Sequence, residues 1–444
     1  MSNENSGLLN SRRFLPIFVT LFLGAFNDNL FKIAMLTLIT YDLSKVMELN
    51  AAILNPLAAG LFILPFALFS SLAGQLADKY EKSKQIRIIK IAEVGIMIIG
   101  AISLYYSIVW LMFVTLFLLG LQSTFFGPIK YSILPEHLRS NELVRGNALV
   151  ETATFIAILL GNIVGGLLVR SDGGLFWTSG LTLVAALTGV YSAFNVPKTT
   201  CADPGLTVHA NPLTSTSDMI RKLLKDKKVT PIVMLISWFW MFGSLFLAQF
   251  PSFTEAVVRG DESVLTLFIG CFSIGIGIGS MLCAKLLKGE VSLKYVPMAA
   301  LMMSAFTIDL YFASSAAQTQ PDAALIGATA FLSAPHNWRI FADLIGIAIA
   351  SGVYIVPVYT SLQTRSSDHE RSRMIAANNI INSIFMVGSA ILAMVTLKAG
   401  YGIIDIFLVG AALNLLVVIY LLKQRIQDDA LRKILLKFST SKSS

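Results

Sequence analysis

Between two long apolar runs the chain reads Gly74-Gln75-Leu76-Ala77-Asp78-Lys79-Tyr80-Glu81-Lys82-Ser83-Lys84. A glycine, an acid and several lysines interrupt sequence that is otherwise almost unbroken hydrocarbon. Gly74 lets a second helix pack closely, Asp78 suits a helix N-terminus or an arginine, and the lysines face the cytoplasm. The runs on either side, 51–77 and 86–108, are each long enough to cross a bilayer core, which takes ~20 residues. The stretch therefore reads as a short loop joining two membrane-spanning helices.

Composition extends that reading to the whole chain. Its 444 residues have a mean hydropathy of +0.72, with 55% apolar and only 14% charged residues. A soluble chain carries about 25% charge, so this one lacks the charge to solvate its own surface. A β-barrel would show short alternating segments instead. The fold class expected is an all-α membrane protein with twelve transmembrane helices. We place the spans at 14–41, 51–77, 86–108, 109–129, 144–169 and 174–195, then at 229–257, 262–287, 293–313, 338–361, 374–397 and 401–422. Only a turn with Tyr105 and Tyr106 separates the third from the fourth. Ala323–Ser333 is apolar but too short to span, and reads as an interfacial or re-entrant piece on the outer side.

Lysine and arginine placement sets the orientation. With the N-terminus inside, the inner segments hold Arg12, Arg13, Lys79, Lys82, Lys84, Arg87, Lys130, Arg145, Lys198, Lys222, Lys225, Lys227, Lys228, Lys285, Lys288, Arg365, Arg371 and Arg373 among others. The outer segments hold Lys45, Arg170, Arg259, Arg339 and Lys398. Both termini are expected in the cytoplasm. The net charge of +8 is this bias facing anionic lipid, and needs no nucleic acid to explain it. Ser11-Arg12-Arg13-Phe14-Leu15 reads as a basic anchor, not an export signal, since the apolar segment after it is too long and lacks a cleavage site.

A polar, basic stretch with Pro197, Pro204 and Pro212 divides the chain. We expect a first six-helix bundle at 1–196, a cytoplasmic linker at 197–228, a second bundle at 229–422 and a basic amphipathic tail at 423–444. In that tail, Arg425–Phe438 reads as an interfacial helix. The halves echo one another. Pro128-Ile129-Lys130-Tyr131-Ser132 precedes a polar loop and Arg145-Gly146-Asn147-Ala148. Pro357-Val358-Tyr359-Thr360-Ser361 precedes a polar loop and Arg373 through Asn378. Such weak internal symmetry is expected of two parallel repeats.

Cys201, Cys271 and Cys283 and the four histidines form no metal-ligand spacing, and no phosphate loop, nucleophile elbow or dinucleotide fingerprint occurs. No cofactor, metal or enzymatic activity is expected. Ionisable residues inside spans are the informative ones, because an uncompensated charge there costs at least ~2.5–3.5 kcal/mol. Asp28 and Lys32 are four apart in the first span, share a face and can pair. With Asn29 and Glu151 they are the first candidates for a polar cavity lining. Asp309 is a further acid inside a span, and Glu93 and Asp343 read more readily as helix-to-helix salt bridges. In the seventh span Trp238, Phe239, Trp240 and Phe242 can equally stack on a ligand or face lipid, and Gln249 beside Pro251 suggests an interrupted helix with a polar lining. Gly74, Asp78, Lys79 and Lys82, with Arg371 and Arg373 from the other half, are the expected inner gate.

The loop at 74–84 closely resembles the G-x-L-a-D-R/K-x-G-R/K-R/K signature of major facilitator transporters, with Glu81 in place of the second glycine. Gly24-Ala25-Phe26-Asn27-Asp28-Asn29 resembles the opening of bacterial lysophospholipid transporters. So do Gly127-Pro128-Ile129-Lys130-Tyr131 with Leu134-Pro135-Glu136, Asn147 to Glu151 followed by Ala157 to Gly161, and Val356-Pro357 with Leu362-Gln363 and Arg365. The likeness runs through most of 14–422. It implies two pseudo-symmetric bundles, a monomer, and alternating-access movement of lysophospholipids across the inner membrane toward a separate cytosolic acyltransferase. Asp28 and Glu151 match family positions in the path. The chain stops after the tail, so no fused acyltransferase is expected. Stand-alone members carry an arginine shortly after Phe-Trp in the seventh span; here Met241–Leu247 holds no base, so a phosphate partner would have to come from Lys32 or elsewhere, which leaves the exact substrate open. Two other readings stay open: an exporter or importer of a small amphiphile, drug or siderophore, with Asp28 or Glu151 as a proton site, and a non-transporting membrane scaffold.

Overall fold

The computed structural model describes residues 7–43, 51–209, 211–317 and 324–440, with the backbone alone given over 425–440. Lys45, Ala323 and the side chains of the expected tail helix lie outside the described residues. Twelve helices are long and apolar enough to cross a membrane. They are α1 Leu15–Leu38, α2 Ala51–Lys79, α3 Lys82–Tyr105, α4 Val109–Ser132, α5 Leu143–Val169, α6 Gly174–Phe194, α7 Thr230–Ser252, α8 Glu262–Leu287, α9 Val296–Ala317, α10 Asn337–Arg365, α11 Arg371–Lys398 and α12 Ile403–Thr440. Among the described residues there is no strand; one isolated bridge joins Gly260 to Ile326.

The helices pack as two copies of one plan. In the first half α1 lies on α5 and α6, α2 on α4, and α3 on α6 and α4. In the second half α7 lies on α11 and α12, α8 on α10, and α9 on α12 and α10. Each contact recurs six helices later. The halves meet through α5 with α8 and α2 with α11, pairs that the same symmetry exchanges.

Several boundaries differ from the sequence reading for one reason: charges at helix ends are paired and do not end the helix. α3 begins at Lys82 and not 86, because the Lys82 ammonium is buried against Glu136 at 2.6 Å. α10 runs on to Arg365 and α11 starts at Arg371. The turn between α3 and α4 uses Ser107 at φ 56°. After Pro251 the end of α7 loosens into one wide turn, Phe253–Val257. The tail is not separate at the backbone level: α12 continues without a break through Thr440. The linker carries a helix of its own, Pro212–Lys225, which buries Met219 and Leu223 and packs against α2 and α11. Its apolar positions, one turn apart, are diluted by polar neighbours, which hides them in a reading built on hydropathy alone.

Twelve crossings bring the chain back to its starting side. The segment leading into α1, the linker and the 74–84 loop share that side, called here the linker face.

Candidate functional site

At the linker face α2 ends against the first turn of α11. A Cβ added at Gly74 would stand 2.5 Å from the Ala376 Cβ and 3.1 Å from the Arg373 Cα, so only glycine allows this approach. One turn on, Asp78 is fully buried and reaches the opposite half. Its carboxylate accepts from the backbone N–H of Ser372 at 3.0 Å and of Arg373 at 3.1 Å, and from Arg373 Nε at 3.0 Å. Asp78 thus caps α11 from outside its own half, placing negative charge on the positive end of the helix dipole.

The other expected gate residues divide. Arg371 turns away from Asp78: its Nε donates to the Gln363 carbonyl at 2.8 Å and its guanidinium pairs with Asp368. Lys79 lies near the Tyr80 ring. Lys82 does not face water; it pairs with Glu136, whose carboxyl is raised by burial against the opposing pull of Lys82. The linker adds residues that sequence reading missed. Asp203 donates its backbone N–H to the Asp78 carbonyl at 2.8 Å and accepts from Arg373 Nη2 at 3.0 Å. The Gln75 amide exchanges bonds with the His209 backbone at 2.8 and 3.4 Å. Nothing in the local pattern around Asp203 marks it; the contact exists because the linker folds back over the gate.

One layer deeper, α4 and α5 meet α10. Asn147 and Gln363 exchange amide bonds of 2.7 and 2.9 Å, and Gln363 Nε2 also donates to the Tyr131 carbonyl at 3.0 Å. The Tyr131 and Tyr359 rings, one from each half, stack with centroids 4.2 Å apart. Tyr131 donates its hydroxyl to Glu151 at 2.7 Å, and Trp240 Nε1 donates to the Tyr359 hydroxyl at 2.9 Å. Glu151 and Trp240 are thereby brought together through two tyrosines. Asn378 sits in this layer beside the Tyr359 hydroxyl with both amide atoms buried.

Within the first half, Asp28 and Lys32 do not form the expected pair. Asp28 Oδ2 accepts from Ser123 Oγ of α4 at 2.6 Å, while its Oδ1 is buried with no partner. Lys32 donates to Asn29 Oδ1 at 2.9 Å and lies over the Phe62 ring. A salt bridge does form nearby, between Lys90 and Glu93 at 2.5 Å, and it is fully buried. Gln122 and Asn27 also donate to Glu93, at 2.9 and 3.3 Å. Glu93 is thus bound into the bundle core. Asp309 pairs with Arg339 near the opposite face, and Asp343 Oδ2 is buried without a partner. Gln249 stands apart from the other candidates. It lines a mainly apolar cavity of about 350 Å³ between α7 and α11, with Leu245, Ala393 and Lys398.

Twelve spans in two symmetry-related bundles, locked at one face by a carboxylate capping a helix of the opposite half, have the build of a membrane transporter. Comparison with known proteins agrees. The profile of the Major Facilitator Superfamily matches residues 17–323, and the chain belongs to that superfamily. Curated relatives carry the name lysophospholipid transporter LplT. The one from Enterobacter sp. (strain 638) is 26% identical over 393 residues, 87% of this chain and 89% of its own. That of Escherichia coli O157:H7 is 25% identical, covering 88% and 93%. Among solved structures, the proton:xylose symporter XylE matches with a TM-score of 0.70 at 13% identity, covering 93% of this chain and 96% of its own. The human organic anion transporter MFSD10 matches at 0.71 and 11%, covering 92% and 98%. At such identities the solved structures speak for the fold alone.

Proposed function

We propose that this transporter moves lysophospholipids across the inner membrane of a bacterium by alternating access, with the linker face in the cytoplasm. Its moving parts are 1–196 and 229–422, joined by 197–228. The observation that carries the substrate class is Asp28. One carboxylate oxygen is held by Ser123 and the other is buried with no partner. An unsatisfied acceptor inside a membrane is costly and calls for a cation. Lys32, one helical turn away and within electrostatic reach of Asp28, offers an ammonium that donates to a neutral amide and lies over an aromatic face. Together they suit a zwitterionic headgroup, its amine at Asp28 and its phosphate at Lys32. The names of the curated relatives support the same class.

On this reading the Tyr131–Tyr359 stack is the floor beneath the substrate, and the Asp78 cap with the Asp203 strap is the bar across the linker face. Both span the two halves, so both must part for the inner side to open. Glu151, Tyr131, Tyr359 and Trp240 would separate together. A cytosolic acyltransferase is the partner expected to consume the delivered lipid, and the transporter acts as a monomer.

The test is uptake of radiolabelled lysophosphatidylethanolamine into spheroplasts, set beside other amphiphiles. Selective uptake that Asp28→Asn abolishes, with insertion unchanged, supports the proposal. Movement of a drug-like amphiphile or siderophore without lysophospholipid uptake replaces the substrate class. No movement of any solute leaves only a scaffold.

A further inference from the structure

Apart from the gate and the headgroup residues, a cluster of basic side chains lies where α1 begins and α6 ends. Arg12, Arg13 and Lys198 line a cavity of about 470 Å³ together with Phe194, Val196 and Pro197. A fourth cation reaches it from α3. The Arg87 guanidinium lies over the Phe194 ring with its centre 5.6 Å from the centroid, and Nη2 approaches the Val196 carbonyl at 3.4 Å. Arg87 Nε is buried and has no partner.

The acids nearby do not balance these cations. Glu142 takes Arg13 in a fork, at 2.8 and 2.5 Å, and does not reach the others. Glu81 is within electrostatic reach of Lys198, but Ser83 holds it at 2.5 Å and Lys84 at 3.4 Å. Among the described residues, no acid pairs with Arg12, Arg87 or Lys198, and these cations remain for an external anion.

Position selects the anion. These residues stand at the ends of membrane spans, at the level of lipid headgroups. Below them the exposed faces of α3 and α6 are apolar: Ile88 and Ile91 on one, Leu187 and Tyr191 on the other. The spacing of 87 and 91, and of 187, 191 and 194, puts each set on the side that bears the pocket. A free phosphate would use only the cations. A phospholipid would use the cations for its phosphate and the apolar wall for its chains, and basic pockets between spans are known anionic-headgroup sites.

We propose that this pocket holds the phosphate of an anionic phospholipid resident in the adjoining leaflet, distinct from any transported lipid. The bound lipid ties the start of α1 to α3 and the end of α6.

Native mass spectrometry of the delipidated full-length protein tests it, with phosphatidylglycerol and phosphatidylcholine of matched chains. The expected result is several-fold preferential retention of phosphatidylglycerol. Each of Arg12→Gln and Arg87→Gln should weaken the preference about fivefold, the scale of one surface cation at an anionic bilayer. Lys225→Gln with Lys227→Gln, on the other basic patch, should leave it unchanged. If Arg87→Gln does not fold, Arg12→Gln with Lys198→Gln, both at exposed positions, gives the same readout. Equal retention of the two lipids, or a preference that survives the pocket substitutions, overturns the proposal. So does a preference lost equally in the Lys225/Lys227 control. Thermal stabilisation by millimolar inorganic phosphate as large as that by phosphatidylglycerol would make the site one for free phosphate and overturn the lipid assignment.

Discussion

At the scale of single residues the first half holds two kinds of buried charge with different work. Lys90 and Glu93 satisfy one another, and Gln122 and Asn27 complete the shell around the acid. Breaking such a pair strands a charge and costs about 3–5 kcal/mol, whereas replacing both members with apolar groups is often neutral. Lys90→Met should therefore sharply lower the yield and melting temperature in detergent, and Lys90→Met with Glu93→Leu should recover most of the loss. A double variant as unstable as the single one would show that the pair does more than fill the core. Asp28 differs, because one of its oxygens goes unused. Asp28→Ala should leave folding nearly intact and abolish lysophospholipid uptake. Exchanging the charges, Asp28→Lys with Lys32→Asp, should fold and stay inactive; full transport by the exchanged protein would remove both residues from the proposed substrate site.

At the scale of elements the decisive joint is α2 against α11. Asp78 supplies three hydrogen bonds across it and Asp203 a further bond to the same arginine. Charge-assisted bonds of this kind contribute about 1.5–3 kcal/mol each. Asp78→Asn should shift the population toward a state open at the linker face, and Asp203→Ala should shift it less and in the same direction. Accessibility of cysteines placed along α4 near Tyr131 measures both; an unchanged pattern in Asp78→Asn would count decisively against the gate. A second joint ties the N-terminal segment to the loop before α5 through Arg13 and Glu142. Burial, the largest single influence, would raise the Glu142 carboxyl, but the Arg13 fork together with the Arg139 backbone N–H and charge outweighs it and holds the group below its ordinary value of 4.5. A depressed carboxyl contributes stability above its ordinary range and loses it as pH falls through the depressed one. Arg13→Gln should thus cost about 1 kcal/mol or less near neutrality, and the difference in melting temperature should vanish on acidification below that range.

For the whole molecule the question is whether the halves move apart. α5 and α8 touch at mid-membrane, where a Cβ added at Gly277 would stand 3.9 Å from the Thr152 Cβ. That separation suits a disulfide, whose Cβ atoms lie about 3.5–4.5 Å apart. Thr152→Cys with Gly277→Cys should cross-link readily on oxidation. Transport should stop when the bond forms and return on reduction. Undiminished transport by the fully cross-linked protein would exclude separation of α5 from α8 as part of the cycle.

The sequence by itself determined what depends on periodicity and on the cost of charge in hydrocarbon. Twelve spans, their repeat in two halves and the membership of Gly74 and Asp78 in a cross-half joint follow from residues that are near neighbours in the chain, so their chemistry is written locally. α8 runs over Glu262–Leu287, the bounds read from the sequence. What the sequence left open depends on partners far away along the chain. Lys82 looked like a surface lysine until Glu136 was seen to neutralise it. Arg371 and Arg373 are equivalent as letters, and only the start of α11 turns one toward Asp78 and the other toward Asp368. Asp28 and Lys32 stand at pairing distance on a helical wheel, yet Ser123 from α4 and Asn29 within α1 compete for them. The tertiary structure decided these choices because a buried polar group takes whichever partner the packing presents, and packing is settled by the contacts of the two bundles and not by spacing along one helix.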